Sequence, residues 1–451
     1  MIDLTKINSI YFVGIGGVSM SALAKLMLSE GKFVSGCDDN LNYFTKKLCS
    51  LGAVIQENQY PSEVENCNLV VYTTAVPKKH PDLVLAKKLK KTILERAEFL
   101  ALISKEYKNV IAISGTHGKT TTTAMIASIM ENKKPTTHIG GDFSEISGNI
   151  KIGKKNFFIT EACEFNKSFL HLSPNISVVT NIECDHMDCY ENFEDLKNAF
   201  MCFISKTTDF VVLNYNILHF CDKFFAKQKV LTFDIGKKCD FWADELKEEN
   251  GCFSFIAYND NFKLGEIHLA VQGKHNVLNA LASIAVGIRL GIPFSEIQNK
   301  LTNFKGVHRR FETLYKKELT VIQDYAHHPT EISCAINTAK LLHPKKLVCV
   351  FQPHTYSRTK TLFNDFLTCF NGCDELILIP TYKAREKETD GYTSFDLFKN
   401  LSDDLNSLYF ENINDLKNYL FKTKINDEII LWIGAGNINE YAQNFVKKLK
   451  K

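Results

Sequence analysis

Residues 109–123 read Asn-Val-Ile-Ala-Ile-Ser-Gly-Thr-His-Gly-Lys-Thr-Thr-Thr-Thr, and the organisation of the chain is read outward from them. Val110, Ile111, Ala112 and Ile113 form a short apolar run of the kind that makes a buried strand. Gly115 and Gly118 bracket a turn, and Lys119 with four threonines opens a helix that runs on through Ala124 to Met130. A strand that empties through glycines into a helix N-terminus is a phosphate cradle. Backbone N–H groups face the anion, the helix dipole favours negative charge, and glycine removes side chains that would block approach. Lys119 supplies charge for terminal phosphates, and Thr120 offers a hydroxyl to Mg²⁺. The strict pattern asks for glycine five residues before Gly118, where Ile113 stands, so the motif is a shortened variant.

Two more apolar runs end in the same manner. Phe157 to Thr160 stops at Glu161, and Ser177 to Ile182 delivers Glu183, Asp185 and His186. Hard cations take oxygen ligands, so an acid at a strand end beside a phosphate loop is a candidate Mg²⁺ ligand. Each of these residues alone reads as an ordinary turn residue. Three strand ends with ligand-type residues directly behind them point instead to a shared nucleotide–metal site.

Upstream, Ser9 to Val13 leads into Gly14-Ile15-Gly16-Gly17-Val18-Ser19 and an amphipathic helix from Met20 to Ser29. Ser19 stands where a Rossmann fingerprint has its third glycine, which fits a diphosphate-bearing ligand better than NAD. The strand Phe33 to Gly36 leads to Asp38, at the place of a ribose-binding acid. Val70 to Pro77 carries Thr73 and Thr74 to the same edge, followed by helical segments Asp82 to Lys91 and Arg96 to Ser104. A first domain is expected over residues 1–106.

Downstream, residues 207–270 read as a small antiparallel patch, represented by Ile267 to Val271. Gly273-Lys274-His275-Asn276 then enters an alanine-rich helix, Asn279 to Leu290. The basic connection Phe304 to Phe311, which contains Arg310, marks the second boundary, giving domains over 107–306 and 307–451. In the third unit four strands, Thr320–Gln323, Leu347–Phe351, Glu375–Ile379 and Glu428–Ile433, carry polar groups at their carboxyl ends. The first leads to Asp324, Tyr325, His327 and His328, the second to Arg358. Aromatic and basic residues together on one rim suit capture of a carboxylate.

The composition narrows the classes. Apolar content of 45% and charged content of 23% are ordinary for a soluble globular protein, and 451 residues exceed a single core. A formal charge of +3 gives no reason to expect nucleic acid or a membrane surface as partner. No apolar run approaches the ~20 residues of a membrane span, and the N-terminus lacks signal-peptide architecture. Fourteen cysteines without a Cys-x-x-Cys pair argue against zinc and a disulfide framework and fit a reducing cytoplasm.

The motifs occur in a definite order. Gly-Ile-Gly-Gly, Gly-Thr-His-Gly-Lys-Thr-Thr, Glu-Ala-Cys-Glu, Thr-Asn-Ile-Glu-x-Asp-His, Gly-Lys-His-Asn, Arg-Arg-Phe, Asp-Tyr-Ala-His-His-Pro and Gln-Pro-His-Thr-Tyr-Ser-Arg-Thr follow one another. This order resembles the muramyl ligase family, at its first amino-acid-adding step, over essentially the whole chain. The resemblance implies three α/β domains: a Rossmann-like N-terminal domain for a UDP-sugar, a central P-loop-type ATPase domain with a mostly parallel sheet, and a Rossmann-like C-terminal domain for the amino acid. It implies ATP and Mg²⁺ as cofactors, and UDP-N-acetylmuramate and L-alanine as partners in amide formation through an acyl phosphate. A monomer or homodimer is expected.

Residue by residue, the resemblance places Gly115, Thr116, His117, Gly118, Lys119, Thr120 and Thr121 on the ATP phosphates, and Thr120, Glu161 and His186 on Mg²⁺. His275 and Asn276 fall near adenine and ribose, with Arg310 and Asp324 reaching the nucleotide. Lys119, Glu161, His186 and Arg310 are the expected catalytic group. Gly14, Gly16, Gly17, Ser19, Asp38, Thr73 and Thr74 line the UDP-sugar site, and Tyr325, His327, His328 and Arg358 the alanine site. The sequence departs from many relatives at Cys163, Phe165 and Asn166, and at Thr355, where an arginine is common. Three other readings stay open at this point: a ligase of the same sugar that adds a ready-made peptide, an NAD-dependent oxidoreductase, and a nucleotide-binding module without catalysis.

Overall fold

The computed structural model describes residues 2–143, 148–185, 187, 189–220, 229–384, 386, 391–423 and 426–450. Three sheets follow one another along the chain. The first has five parallel strands in the order Val54–Glu57, Phe33–Asp38, Ser9–Val13, Leu69–Tyr72, Thr92–Glu95. The strand order reverses beside Ser9–Val13, and the glycine turn opens at that switch point, where open α/β sheets form their ligand crevice. Ser9–Val13 is continuously apolar because both faces are covered. Ile10 and Phe12 enter one buried cluster, Tyr11 and Val13 another.

The second sheet has ten strands, in the order Phe262–Gln272, Cys252–Asn259, Phe241–Glu249, Lys229–Ile235, Phe210–Asn214, Ile176–Val179, Asn109–Ser114, Lys154–Glu161, Pro135–Phe143, Gly148–Lys151. The antiparallel patch expected over residues 207–270 is shorter and less separate than the sequence suggested. Phe210–Asn214 and Lys229–Ile235 extend the parallel sheet, and only the last three strands form an antiparallel meander on its edge. Helices Lys119–Ile129 and His275–Arg289 pack on one face. On the other, Phe169, Phe200 and Phe203 share a buried cluster with Phe12 and Phe99, so the first two units have a common core.

The third sheet runs Glu312–Lys316, Thr320–Asp324, Glu428–Ile433, Lys346–Phe351, Glu375–Leu378, Ser407–Tyr409, parallel except for its first strand. Apolar clusters cover both of its faces, which leaves the carboxyl ends of the strands as its polar rim.

The helix behind the phosphate loop opens at Lys119, as the sequence has it, while two others begin earlier than apolar spacing suggests, at Val18 and His275 rather than Met20 and Asn279. The residues before those apolar stretches form the first turn of the helix, whose backbone N–H groups lack an i−4 partner within it. Among the described residues no helix is long and apolar enough to cross a membrane.

Candidate active site

The loop between Ser114 and Lys119 keeps its shape through two glycines and a neighbouring loop. Gly115 has φ +131° and Gly118 φ +83°, both in the left-handed region. A Cβ on Gly115 would lie 2.0 Å from Thr180 Oγ1, and one on Gly118 2.6 Å from Asn279 Oδ1. Thr180 Oγ1 donates to the His117 carbonyl (2.5 Å), and Asn181 Oδ1 accepts from the His117 N–H (2.8 Å). Thr116 Oγ1 accepts from Glu183 N at 2.9 Å. Sequence reading assigned Thr180 to Ile182 to a strand. The strand ends at Val179, and the next residues turn over to brace the phosphate loop.

Lys119 lies across its own loop. Its ammonium donates to Gly115 O (2.5 Å), Thr116 O (3.1 Å) and Glu164 Oε1 (2.9 Å). Burial opposes its charge, but Glu164, with help from Cys163 and Glu161, raises its pKa. Glu161 ends the adjacent strand Lys154–Glu161, and its Oε1 accepts from Gly140 N at 2.7 Å. A Cβ on Gly140 would sit 2.8 Å from Glu161 Oε2, and one on Gly141 3.3 Å from Thr120 Cγ2. The two glycines therefore keep open a space bordered by the carboxylate of Glu161 and by Thr120. A carboxylate and a hydroxyl are hard oxygen donors of the kind Mg²⁺ takes. His186 lies outside the described residues.

A cavity of about 1060 Å³ opens between the second and third units, lined by His117, Thr120, Thr121, His275, Asn276, Arg310 and Asp324 among others. His275 begins its helix, and burial together with Arg310 pushes its pKa down to about 4. Asn276 is held by its neighbours, donating to Gln272 O (2.7 Å) and accepting from Asn279 (2.9 Å). Burial raises Asp324 to about 6. Its two oxygens accept from Phe311 N and Ala326 N, which fixes the turns that present Arg310 and Tyr325. The guanidinium groups of Arg309 and Arg310 approach the centre of the Tyr325 ring to 4.7 Å and 5.0 Å.

Glu331, which sequence reading passed over, is the centre of the rim. It sits in the first turn of the helix Pro329–Lys340 and reaches His117 Nδ1 (3.1 Å), His327 Nδ1 (3.4 Å), the His327 N–H (3.1 Å) and Arg310 (3.9 Å). Burial disfavours a charged His117, yet Glu331 and Glu183 raise it to about 9. His327, by contrast, is pushed down to about 3 by burial. His328 caps the helix: Nδ1 accepts from Thr330 N, and Nε2 donates to Cys184 O at 3.0 Å. Both of its ring nitrogens are thus engaged within the protein. Arg358 pairs through Nε with Asp185 (3.2 Å), from the loop behind Ile176–Val179, and donates to His354 O.

In the first unit Asp38 folds back on the glycine turn, accepting from Gly16 N at 2.8 Å and Asn40 N at 3.1 Å. Gly14 abuts Thr73, whose methyl a Cβ would approach to 2.7 Å, so Thr73 and the glycine turn line one edge, with Thr74 next along the chain. Gly17 caps the helix that carries Ser19. Ser19 turns toward the second unit, where its hydroxyl meets His138 Nε2 at 3.0 Å. Burial, with Arg96 nearby, pushes His138 down to about 3.

Three parallel-dominated sheets in series, with a phosphate loop on the middle one opening toward the third, define the class. The chain belongs to the Mur ligase family. Its models match in succession: the Mur ligase family catalytic domain over residues 9–108, the Mur ligase middle domain over 113–287 and the Mur ligase glutamate ligase domain over 309–436. Within it, the chain is 43% identical to a UDP-N-acetylmuramate–L-alanine ligase of Clostridium acetobutylicum, over 99% of this chain and 98% of that one. It is 42% identical to one of Clostridium botulinum over 98% of each. Among solved structures, a UDP-N-acetylmuramate–alanine ligase of Thermotoga maritima superposes with a TM-score of 0.81 at 29% identity, covering 98% of this chain and 99% of the other.

Proposed function

We propose that this protein is a cytoplasmic ligase that uses ATP and Mg²⁺ to join L-alanine to the carboxylate of UDP-N-acetylmuramate, a step in peptidoglycan precursor synthesis. It acts as a monomer or homodimer, with domains over 1–106, 107–306 and 307–451. Full-length similarity to two clostridial ligases of this name carries the reading. The geometry supports it, because the Gly115–Thr121 loop, Glu161 and the cavity meet on one edge of the central sheet.

A carboxylate is a poor acyl donor because oxide would have to leave. Transfer of the γ-phosphoryl group gives an acyl phosphate, the alanine amine attacks its carbonyl carbon, and phosphate departs. In the loop Gly115–Thr121 the backbone N–H groups of Gly118 to Thr121 serve the ATP phosphates, while Asn181 holds those of Thr116 and His117. Lys119 must leave Glu164 to reach them, and its charge then serves the phosphoryl group in transfer. Thr120, Glu161 and His186 are the residues to hold Mg²⁺, which when bound neutralises phosphate oxygens. His275, Asn276, Arg310 and Asp324 shape the nucleotide cavity. Gly14, Gly16, Gly17, Ser19, Asp38, Thr73 and Thr74 serve the sugar nucleotide, while Tyr325, His327 and Arg358 hold alanine and His328 caps the helix Pro329–Lys340 behind the first two.

The deciding assay is phosphate release from ATP with UDP-N-acetylmuramate and, separately, alanine, serine, glycine and a tripeptide. Alanine should give the highest kcat/KM. Release only with the peptide would transfer the chain to the peptide-adding branch, and release with neither would refute the reading.

A further inference from the structure

His138 lies on the strand Pro135–Phe143, beside Lys154–Glu161, where it is the register partner of Thr160. It is 3% exposed and Thr160 fully buried. Its ring joins two units of the molecule: Nε2 meets Ser19 Oγ of the glycine turn at 3.0 Å, and Nδ1 meets Thr160 Oγ1 at 2.9 Å. Each proton in this chain has one place. Thr160 Oγ1 lies 3.0 Å from the Glu161 carbonyl, which only accepts, so the threonine proton points there and Oγ1 accepts from His138. The Arg96 guanidinium, which only donates, approaches Ser19 Oγ at 3.4 Å. The Thr160 end therefore puts the ring proton on Nδ1; in the neutral ring Nε2 is then an acceptor, so the serine proton points to it while Arg96 takes a lone pair of the same oxygen. The same strand also sends the Gly140 N–H to the Glu161 carboxylate at 2.7 Å.

We propose that His138, fixed as the Nδ1–H tautomer, is a positioning residue that sets the Ser19 turn of the sugar-nucleotide site and the Thr160–Glu161 strand end of the ATP site in one geometry. The proposal rests on the ligand assignments given under Proposed function. His138 touches neither substrate. It acts through Ser19 on one side and through Thr160 on the other, so the two sides should separate in kinetics. Asparagine at 138 offers an N–H near the Nδ1 position but no acceptor for Ser19. Glutamine offers a carbonyl near the Nε2 position but no donor for Thr160.

The test uses the full chain. His138→Phe, which removes both links at similar volume, should lower kcat and raise KM for UDP-N-acetylmuramate, each about five- to tenfold, the scale of one neutral hydrogen bond. KM for alanine should stay within about twofold, since Arg358 and Tyr325 are untouched. His138→Asn should recover kcat, and His138→Gln the sugar KM. If the phenylalanine variant does not fold, Thr160→Val, which cuts the link to the ATP site alone, should lower kcat and leave the sugar KM within about twofold. Equal losses in all variants tracking a lowered Tm would mean a purely structural role and overturn the proposal, as would wild-type kinetics in His138→Phe. Imidazole ¹⁵N spectra give a reading free of turnover: a proton on Nδ1 is expected, and one on Nε2 contradicts the chain. Wild-type protein without alanine-dependent phosphate release would sink the functional reading while leaving that tautomer result standing.

Discussion

Lys119 is held by its own loop and by Glu164, so the lysine that must meet phosphate begins as the partner of a buried acid. ATP phosphates have to replace three acceptors at once, two of them carbonyls of the phosphate loop. Lys119→Ala should therefore fold normally and lower kcat by ~10²–10³, the typical loss when an electrostatic clamp on a reacting group is removed. KM for the UDP-sugar should change little, and steady-state kinetics with retained turnover above a tenth of wild type would take Lys119 out of the mechanism. Arg358 presents a similar exchange, since Asp185 occupies its Nε. A guanidinium fork binds a carboxylate bidentately, which an ammonium does not reproduce. Arg358→Lys should raise KM for alanine roughly ten- to a hundredfold with KM for ATP flat, the worth of one charge-assisted bond. The reverse pattern would place Arg358 on the nucleotide.

At the scale of elements, the helix Pro329–Lys340 is tied to the central sheet by ionisable groups. His117 and Glu331 meet across the junction at 3.1 Å, and Thr330 reaches Glu183 at 2.8 Å. Because the folded protein raises His117 from 6.5 to about 9, its contribution to stability is complete below pH 6.5 and lost as pH rises through about 9. Thermal midpoints measured from pH 6 to 9.5 should fall across this window in wild type and more shallowly in His117→Asn. Parallel curves would show that the pair does not couple the units.

The central strands and their glycine exits were legible in the sequence, because Val110–Ile113 and Ile429–Ile433 are apolar runs that only a sheet covered on both faces explains. Val54–Glu57 and Thr92–Glu95 were not, being four-residue strands half exposed on sheet edges. Glu331 also escaped, since an acid in the first turn of a helix is an ordinary capping residue until His117 of the central unit joins nearby His327 on it. Asp38 was legible as a strand-end acid, and it ends the strand Phe33–Asp38, but its bond to Gly16 N depends on how the turn closes, which spacing does not encode.

The whole molecule places two ligand edges against one catalytic sheet. The first unit touches the central one through Ser19–His138 and Asn149–Ser21, the third through His117–Glu331, His328–Cys184 and Arg358–Asp185. Every one of these contacts involves, or neighbours, a residue assigned to substrate or nucleotide. Binding and domain arrangement are consequently coupled, and the phosphate loop that carries Lys119 reaches the third unit through His117. The central claim is that the sugar carboxylate itself takes the γ-phosphoryl group before alanine attacks. UDP-N-acetylmuramate carrying ¹⁸O in both carboxylate oxygens tests this directly, with mass analysis of the phosphate released during alanine ligation. The account predicts that each phosphate carries one ¹⁸O from the carboxylate. Unlabelled phosphate, formed at the same rate as the amide, would contradict it.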